Sequence, residues 1–507
     1  MGFDFSLFKA NLLNKKSPDE ILQTAKNANL KKTLNAFDLI MLGIGAVIGT
    51  GIFTIIGIAA AGGPESAGAG PALIISMIIA MLACLFSALC YSEFASMIPV
   101  AGSSYTYTYA TMGEFMAWMI GWVLMLEYAI GNITVASAWS GYFFEFLRGF
   151  SHILPHWLVN PPVYLVNDYR TAVTVYQNMG LDPSVEIPKI FGFIPFAVNI
   201  PAILLVIIIT ILLVRGIKES TRTATVMVFI KLAVIFTFII AGTFYIKPEN
   251  WTPFAPNGFS GIISGAFIIF FAYIGFDAIS TAAEETKNPQ KNLPIGLIGT
   301  LIICTVVYVL TALVLTGIVP VDKINTLAPI SAAMSATGNN CAAGLISIGA
   351  LAGLTSVLLV YQLGTTRILY AMSRDGFLPK ILQNIHKKYQ TPHIITWVSG
   401  IIVVIGALFM DLNVSAELCD FGTFASFTVV CIAVLILRKT DPERKRPFRV
   451  PFVPLFPILG ILFCGGLMIY SLFTLGTSAV LFPIWILIGV IIYFAYCYGN
   501  IRKTKKN

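Results

Sequence analysis

Charge is what this sequence has least of. Of its 507 residues only 11% are Asp, Glu, Lys or Arg, while 57% are hydrophobic and the mean hydropathy is +0.84. So little charge cannot cover the surface of a soluble chain this long, which excludes a water-soluble globular protein. Histidine is scarce as well: there are four, with no HExxH pair, and Pro155 separates His152 from His156 where a helical ligand pair would need continuity. No metal site is expected, and no cofactor. The eight cysteines show no CxxC spacing and most fall within apolar runs, so they read as packing residues and not as a disulfide or zinc framework. No nucleophile with a nearby base stands out, so the chain is not expected to be an enzyme. The first 36 residues are charged and lack a continuous apolar core, so no cleavable signal peptide is expected.

What the chain does have is length of apolar run. Crossing a hydrocarbon core of about 30 Å takes roughly 20 apolar residues. Twelve such stretches are expected, at 37–60, 71–98, 115–146, 196–214, 223–246, 259–283, 293–319, 342–372, 394–410, 417–437, 454–475 and 480–499. They far exceed the length of barrel strands, so they read as helices that satisfy their own backbone hydrogen bonds. Of the 32 Lys and Arg, 26 fall in the tails and in alternate connections. Arg148, Arg170, Lys189, Lys247 and Lys323 lie on the other face, and Lys231 lies inside a span. The positive-inside rule then puts both termini in the cytoplasm, as an even number of crossings requires. The net charge of +8 is accounted for by topology, so no nucleic-acid partner is implied.

Connections are short except for 149–195, an outer loop rich in Pro, aromatic and polar residues. Spans one and six each carry small residues where a plain helix would have Leu or Ile, and they open two successive groups of five. Paired interruptions of this kind point to inverted repeats with a binding site near the bilayer midplane. Span one reads GIGAVIGTGIF at 43–53. Glycine costs about 1 kcal/mol against alanine inside a helix, so the cluster favours an unwound stretch whose exposed N–H groups suit a carboxylate. Close packing through small residues is the plainer alternative. A dinucleotide-binding reading is poorer, because the spacing is GxGxxxG and no strand precedes it. Span six contains FFAYIGFDA at 270–278, a second break that would free carbonyls suited to an ammonium group. Asp277 in that stretch is expected to hold the break by accepting backbone N–H bonds.

Lys231 is the sharpest single signal. It sits roughly 12 Å beyond the start of its span at 1.5 Å per residue, too deep to snorkel easily. A lysine so placed can load and release a proton, or it can pair permanently with a structural carboxylate. Glu127, in LMLEY of span three, either lines the pocket or pairs with a polar neighbour. Arg367, Arg374 and Asp375 at the end of span eight read as gate or anchor residues.

Several stretches together resemble the amino acid-polyamine-organocation transporters, specifically the cationic amino acid transporter branch and its bacterial relatives. They are GIGAVIGTGIF (43–53), PVAGSSYTYTYATMGEF (99–115), GWVLMLEY (121–128), FFAYIGFDAISTAAEETKNPQKNLPIGLI (270–298), TTRILYAMSRDGFLP (365–379) and DPERKRPFRVP (441–451). The resemblance runs from Leu34 to about Pro457. It implies an all-α, LeuT-like fold of twelve transmembrane helices with 5+5 inverted repeats and broken helices one and six. The parts would be a cytoplasmic tail (1–36), the first repeat (37–246), the second repeat (259–438), spans eleven and twelve (454–499) and a cytoplasmic tail (500–507).

The same resemblance implies that the substrate carboxylate meets Val47, Thr50 and Gly51, and the amino group meets Phe271, Ala272 and Ile274. It matches Lys231 to the family's proton-coupling lysine, and Glu127 and Asp277 to its third- and sixth-span acids. Tyr361 matches a pocket position of span eight, where its bulk would shorten the space for a side chain. The expected function is proton-coupled, sodium-independent import of L-α-amino acids across the plasma membrane, neutral ones first, with cationic substrates or exchange as alternatives. The expected partners are the amino acid, protons and the bilayer, with room for a small membrane subunit. The outer loop at 149–195 is longer than the family's shorter versions. A channel would call for a repeated charged or carbonyl ring, which the chain does not show.

Overall fold

The computed structural model describes residues 12–26, 32, 34–63, 66–100, 102–150, 152–191, 194–215, 217–324, 328–389, 391–410, 412–474 and 476–501. The expected tails therefore lie partly outside the described residues.

Helix dominates. Among the described residues nine helices are long and apolar enough to cross a membrane, and the bent pair Ala36–Val47 (α1) and Gly51–Ala61 (α2) makes a tenth if counted as one span. The nine include α3 (Leu73–Met97) and α4 (Glu114–Arg148). The other two expected spans are apolar helices of 16 and 17 residues, α5 (Ile200–Arg215) and α11 (His393–Phe409). Between them run α6 (Ile217–Thr243), α7 (Gly258–Phe270) with its short continuation α8 (Ala278–Thr281), α9 (Pro289–Ile318) and α10 (Asn340–Arg374). The chain closes with α12 (Leu412–Thr440), α13 (Leu455–Phe473) and α14 (Thr477–Ile501).

α1 starts where its sequence says it should. Asn35 accepts from the N–H groups of Phe37 (2.8 Å) and Asp38 (3.2 Å), and Asp38 returns a bond to the N–H of Asn35 (2.9 Å), a reciprocal capping box. Inside the bundle α10 and α12 lie along α4, α9 lies along α3 and α1, and α6 lies along α10. Small residues set these spacings: a Cβ on Gly353 of α10 would stand 3.0 Å from Phe53 and 3.3 Å from the Lys231 stem. The outer faces keep Ile208, Phe229, Ile240, Val306, Ile401 and Phe473 exposed. An apolar surface this extensive is what hydrocarbon, and not water, would cover.

Residues of the 149–195 loop form three short helices and a two-residue hairpin around their own small core of Ala172, Tyr176 and Ile187. At the basic end of the bundle the loop after α12 is anchored by buried Glu93 of α3. Its carboxylate takes two bonds from Arg438 (2.8 and 2.6 Å), one from the N–H of Val450 (2.8 Å), and lies 3.2 Å from Arg446.

Candidate functional site

Two interrupted helices meet at the centre. α1 stops at Val47 because Ile48 turns extended (ψ 100°), and helix resumes at Gly51 as a wider π-turn, with a 44° bend across the break. Beyond α7 a 3₁₀ turn, Phe271–Tyr273, ends in extended Ile274 (ψ 145°) and then Gly275 at φ +105°, which L side chains rarely adopt. The breaks touch. A Cβ on Gly51 would run into the Cα and Cβ of Ala272, and one on Gly275 would stand 3.1 Å from Ala46. Gly51 is thus brought against Ala272, and Val47, Thr50, Phe271 and Ile274 are buried in the same two breaks.

The clamp between the breaks is a residue that sequence reasoning missed. The Tyr308 hydroxyl of α9 lies 2.8 Å from the Val47 carbonyl and 2.8 Å from the Ala272 carbonyl, and its one proton serves one of them at a time. A tyrosine in an apolar run has no spacing signal to mark it. Close by, the buried hydroxyls of Thr50 and Thr54 have no hydrogen-bond partner among the described residues. Tyr308→Phe should lower the melting temperature of the purified protein, since leaving a buried acceptor unpaired costs about 1–3 kcal/mol. A thermal melt in detergent checks this, and an unchanged Tm would show that the bridge between the breaks carries no stability.

Lys231 is fully buried on α6. Its ammonium donates to the carbonyls of Ile48 (2.6 Å) and Gly45 (3.0 Å) and to Ser356 Oγ of α10 (3.0 Å). Three donors meet three acceptors, and the charge sits on the carbonyl end of α1, where a helix is partially negative. Among the described residues no carboxylate pairs with it, so the permanent ion pair considered from sequence is not formed.

Asp277 reaches beyond its own turn. Its carboxylate accepts from the Tyr128 hydroxyl of α4 (2.7 Å) and lies 3.5 Å from Ser103 Oγ, and its side chain makes no cap bond to the turn it precedes. The N–H groups there are already spent on their own turn: Ala278 on Gly275 O (3.1 Å), Ile279 on Phe276 O (3.1 Å) and Ser280 on Asp277 O (2.8 Å). Asp277 therefore ties the second break to α4. Tyr361 does reach that break. Its ring would be 3.0 Å from a Cβ on Gly275 and 2.6 Å from one on Gly131, and it meets Tyr128 edge-on at 5.5 Å between centroids.

Glu127 turns toward α12, with Oε2 3.5 Å from Ser426 Oγ and Oε1 lacking a hydrogen-bond partner among the described residues. A polar neighbour, Ser426, is thus present beside Glu127. Buried Asp420 of α12 also leaves one carboxylate oxygen unpartnered among the described residues. Sequence reasoning passed over it, although an acid inside an apolar run is itself the signal.

The basic end is shut by ion pairs. Arg367 meets Glu285 at 2.7 Å and Arg374 meets Glu284 at 3.8 Å, while Asp375 takes Lys16 (2.7 Å) and the Tyr105 hydroxyl (2.7 Å). All three residues read as gate or anchor groups hold such contacts.

A many-helix membrane bundle with two discontinuous helices meeting at its centre defines the class, that of secondary transporters. A family profile described as amino acid permease matches residues 34–498. The chain is 45% identical over 488 residues to the methylthioribose transporter of Bacillus subtilis strain 168, covering 96% of this chain and 98% of that one. It is 43% identical over 491 residues to the branched-chain amino acid permease BcaP of the same strain, with 96% and 98% covered. With cationic amino acid transporter 9, chloroplastic, of Arabidopsis thaliana it shares 34% over 447 residues, 87% of this chain and 73% of that one. The chain belongs to the amino acid permease family, and these relatives are transporters, not enzymes.

Proposed function

We propose that this protein imports L-α-amino acids with protons, independently of sodium, by alternating access. The reading includes twelve spans arranged as 5+5 inverted repeats, both termini in the cytoplasm and residence in the plasma membrane. One observation carries it: two helix breaks in contact, bridged by Tyr308, with the Lys231 ammonium on the carbonyl end of the first. N–H groups that open α2 suit a carboxylate, carbonyls at the end of the second break suit an ammonium, and every α-amino acid carries both. Lys231 sets a tethered amine on the Gly45 and Ile48 carbonyls of the first break, where a metal cation would otherwise meet them, and an amine can give up its proton, which supports proton coupling without sodium. Burial of every candidate residue and the ion pairs beneath support a gated carrier over an open channel.

Neutral substrates are favoured because Tyr361 occupies the space beside the second break, and the name of the BcaP relative points the same way. The relative named for methylthioribose supports a second reading, a thioether sugar in the same site. A thermal-shift screen of the twenty amino acids and methylthioribose separates the two, because only a ligand that binds the folded state raises its stability. Proteoliposomes in sodium-free buffer should then accumulate the best binder when an inward proton gradient is imposed. Uptake that strictly required sodium, or that ignored pH, would sink the coupling. Tyr361→Ala should shift the preference toward larger side chains, read as the ratio of kcat/KM for a large and a small substrate. A constant ratio would place selectivity elsewhere.

A further inference from the structure

Away from the helix breaks, the first turns of α9 and the loop after α12 border an open groove of about 610 Å³. Ile295, Ile298 and Ile302 form one wall, Pro447 and Phe448 the other, and Lys291 stands with Gln290 at the basic end. Its far wall is built and does not depend on a ligand. Phe448 donates its N–H to Ser96 Oγ (3.2 Å), and Glu93 grips Arg438, Arg446 and Val450 on either side. Ile295 and Ile302 are half-exposed on what reads as the hydrocarbon face. From Lys291 to Ile302 the helix advances roughly 16 Å, about half the thickness of a hydrocarbon core. Lys287, Lys445 and Arg449 are exposed at the same end, and among the described residues none of them, nor Lys291, forms an ion pair.

A cation at the headgroup level above an apolar channel one leaflet deep fits an amphiphile with an anionic head. We propose that this groove binds an anionic phospholipid, its phosphate held by Lys291 and Gln290 and one acyl chain laid along Ile295, Ile298 and Ile302. The groove backs onto the broken helix: a Cβ on Gly299 in its floor would stand 3.2 Å from Ile40 of α1. An occupant there bears on the half-helix that ends at the substrate site, so the lipid is placed to influence the conformational change. The proposal rests on the basic end lying at a headgroup layer and not on the identity of the transported solute.

The test is lipid binding by purified protein in detergent, read by native mass spectrometry and by thermal shift, with phosphatidylglycerol, phosphatidylcholine and glycerol phosphate as probes. Phosphatidylglycerol should bind and raise Tm more than phosphatidylcholine, and glycerol phosphate should do neither. Lys291→Gln should weaken phosphatidylglycerol binding roughly fivefold, the loss of about one basic contact with an anionic lipid, and leave phosphatidylcholine unaffected. Ile298→Trp, which fills the groove, should remove the difference between the two lipids. If it does not purify, Lys291→Arg takes its place and should keep the phosphatidylglycerol preference. Equal binding of both lipids, full mimicry by glycerol phosphate, an unchanged Lys291→Gln variant, or a co-purifying membrane peptide that excludes lipid would each overturn the proposal. None of these outcomes depends on amino acid uptake.

Discussion

Lys231→Ala should abolish proton-driven accumulation, lowering the steady-state ratio of inside to outside substrate at least tenfold, while the protein still reaches the membrane. The substitution removes the only cation on the Gly45 and Ile48 carbonyls among the described residues and leaves Ser356 without its Lys231 bond. Losing charged hydrogen bonds of about 1.5–3 kcal/mol each at one helix end is enough to shift the balance between conformations. It also removes the amine on which the proposed proton coupling rests. Lys231→Met keeps most of the volume without the charge and should behave the same way, which separates loss of the amine from loss of packing. The readout is concentrative uptake under an imposed proton gradient beside exchange at equal concentrations. Accumulation that survived either substitution would remove Lys231 from the coupling.

Gly51→Ala should eliminate substrate-induced stabilisation and reduce uptake below detection, a large effect for one methyl group. The added carbon would collide with the backbone of Ala272 in the facing break, where no flexible side-chain end can move aside. Overpacking of this kind costs about 1–3 kcal/mol, and here it pushes apart the two surfaces proposed to bind one ligand together. Gly141→Ala on α4 is the control, because a Cβ there meets nothing within 4 Å. Thermal shift with and without the best amino acid measures both. Wild-type stabilisation of Gly51→Ala would mean that close apposition of the breaks is not needed for binding.

Much of the fold was legible because membranes leave few choices. Each of the twelve expected apolar stretches coincides with helix, including the two that are only 16 and 17 residues long. Both breaks were legible as well, the first from its glycine cluster and the second from Gly275 beside Asp277, since glycine in an apolar run is costly unless the backbone leaves the helix there. Lys231 declared itself by standing alone within its span. The partners of these residues were not legible. Tyr308 is separated from Val47 by 261 residues, and Ser356 from Lys231 by 125. Periodicity within one helix carries no information about which distant hydroxyl will face it.

The sequence by itself determined that this is a helical membrane protein, where two of its helices break, and which ionisable residues lie too deep to be ordinary. Those conclusions follow from local costs: desolvating a charge, bending a helix, leaving a backbone group unpaired. Only the tertiary structure decided what each deep polar group does. Asp277 accepts from Tyr128 of α4, Glu127 turns to α12, and Lys231 caps α1 in place of pairing with an acid. Hydrogen-bond partners in a low-dielectric interior are chosen by which helices pack together, and packing is a property of the whole chain.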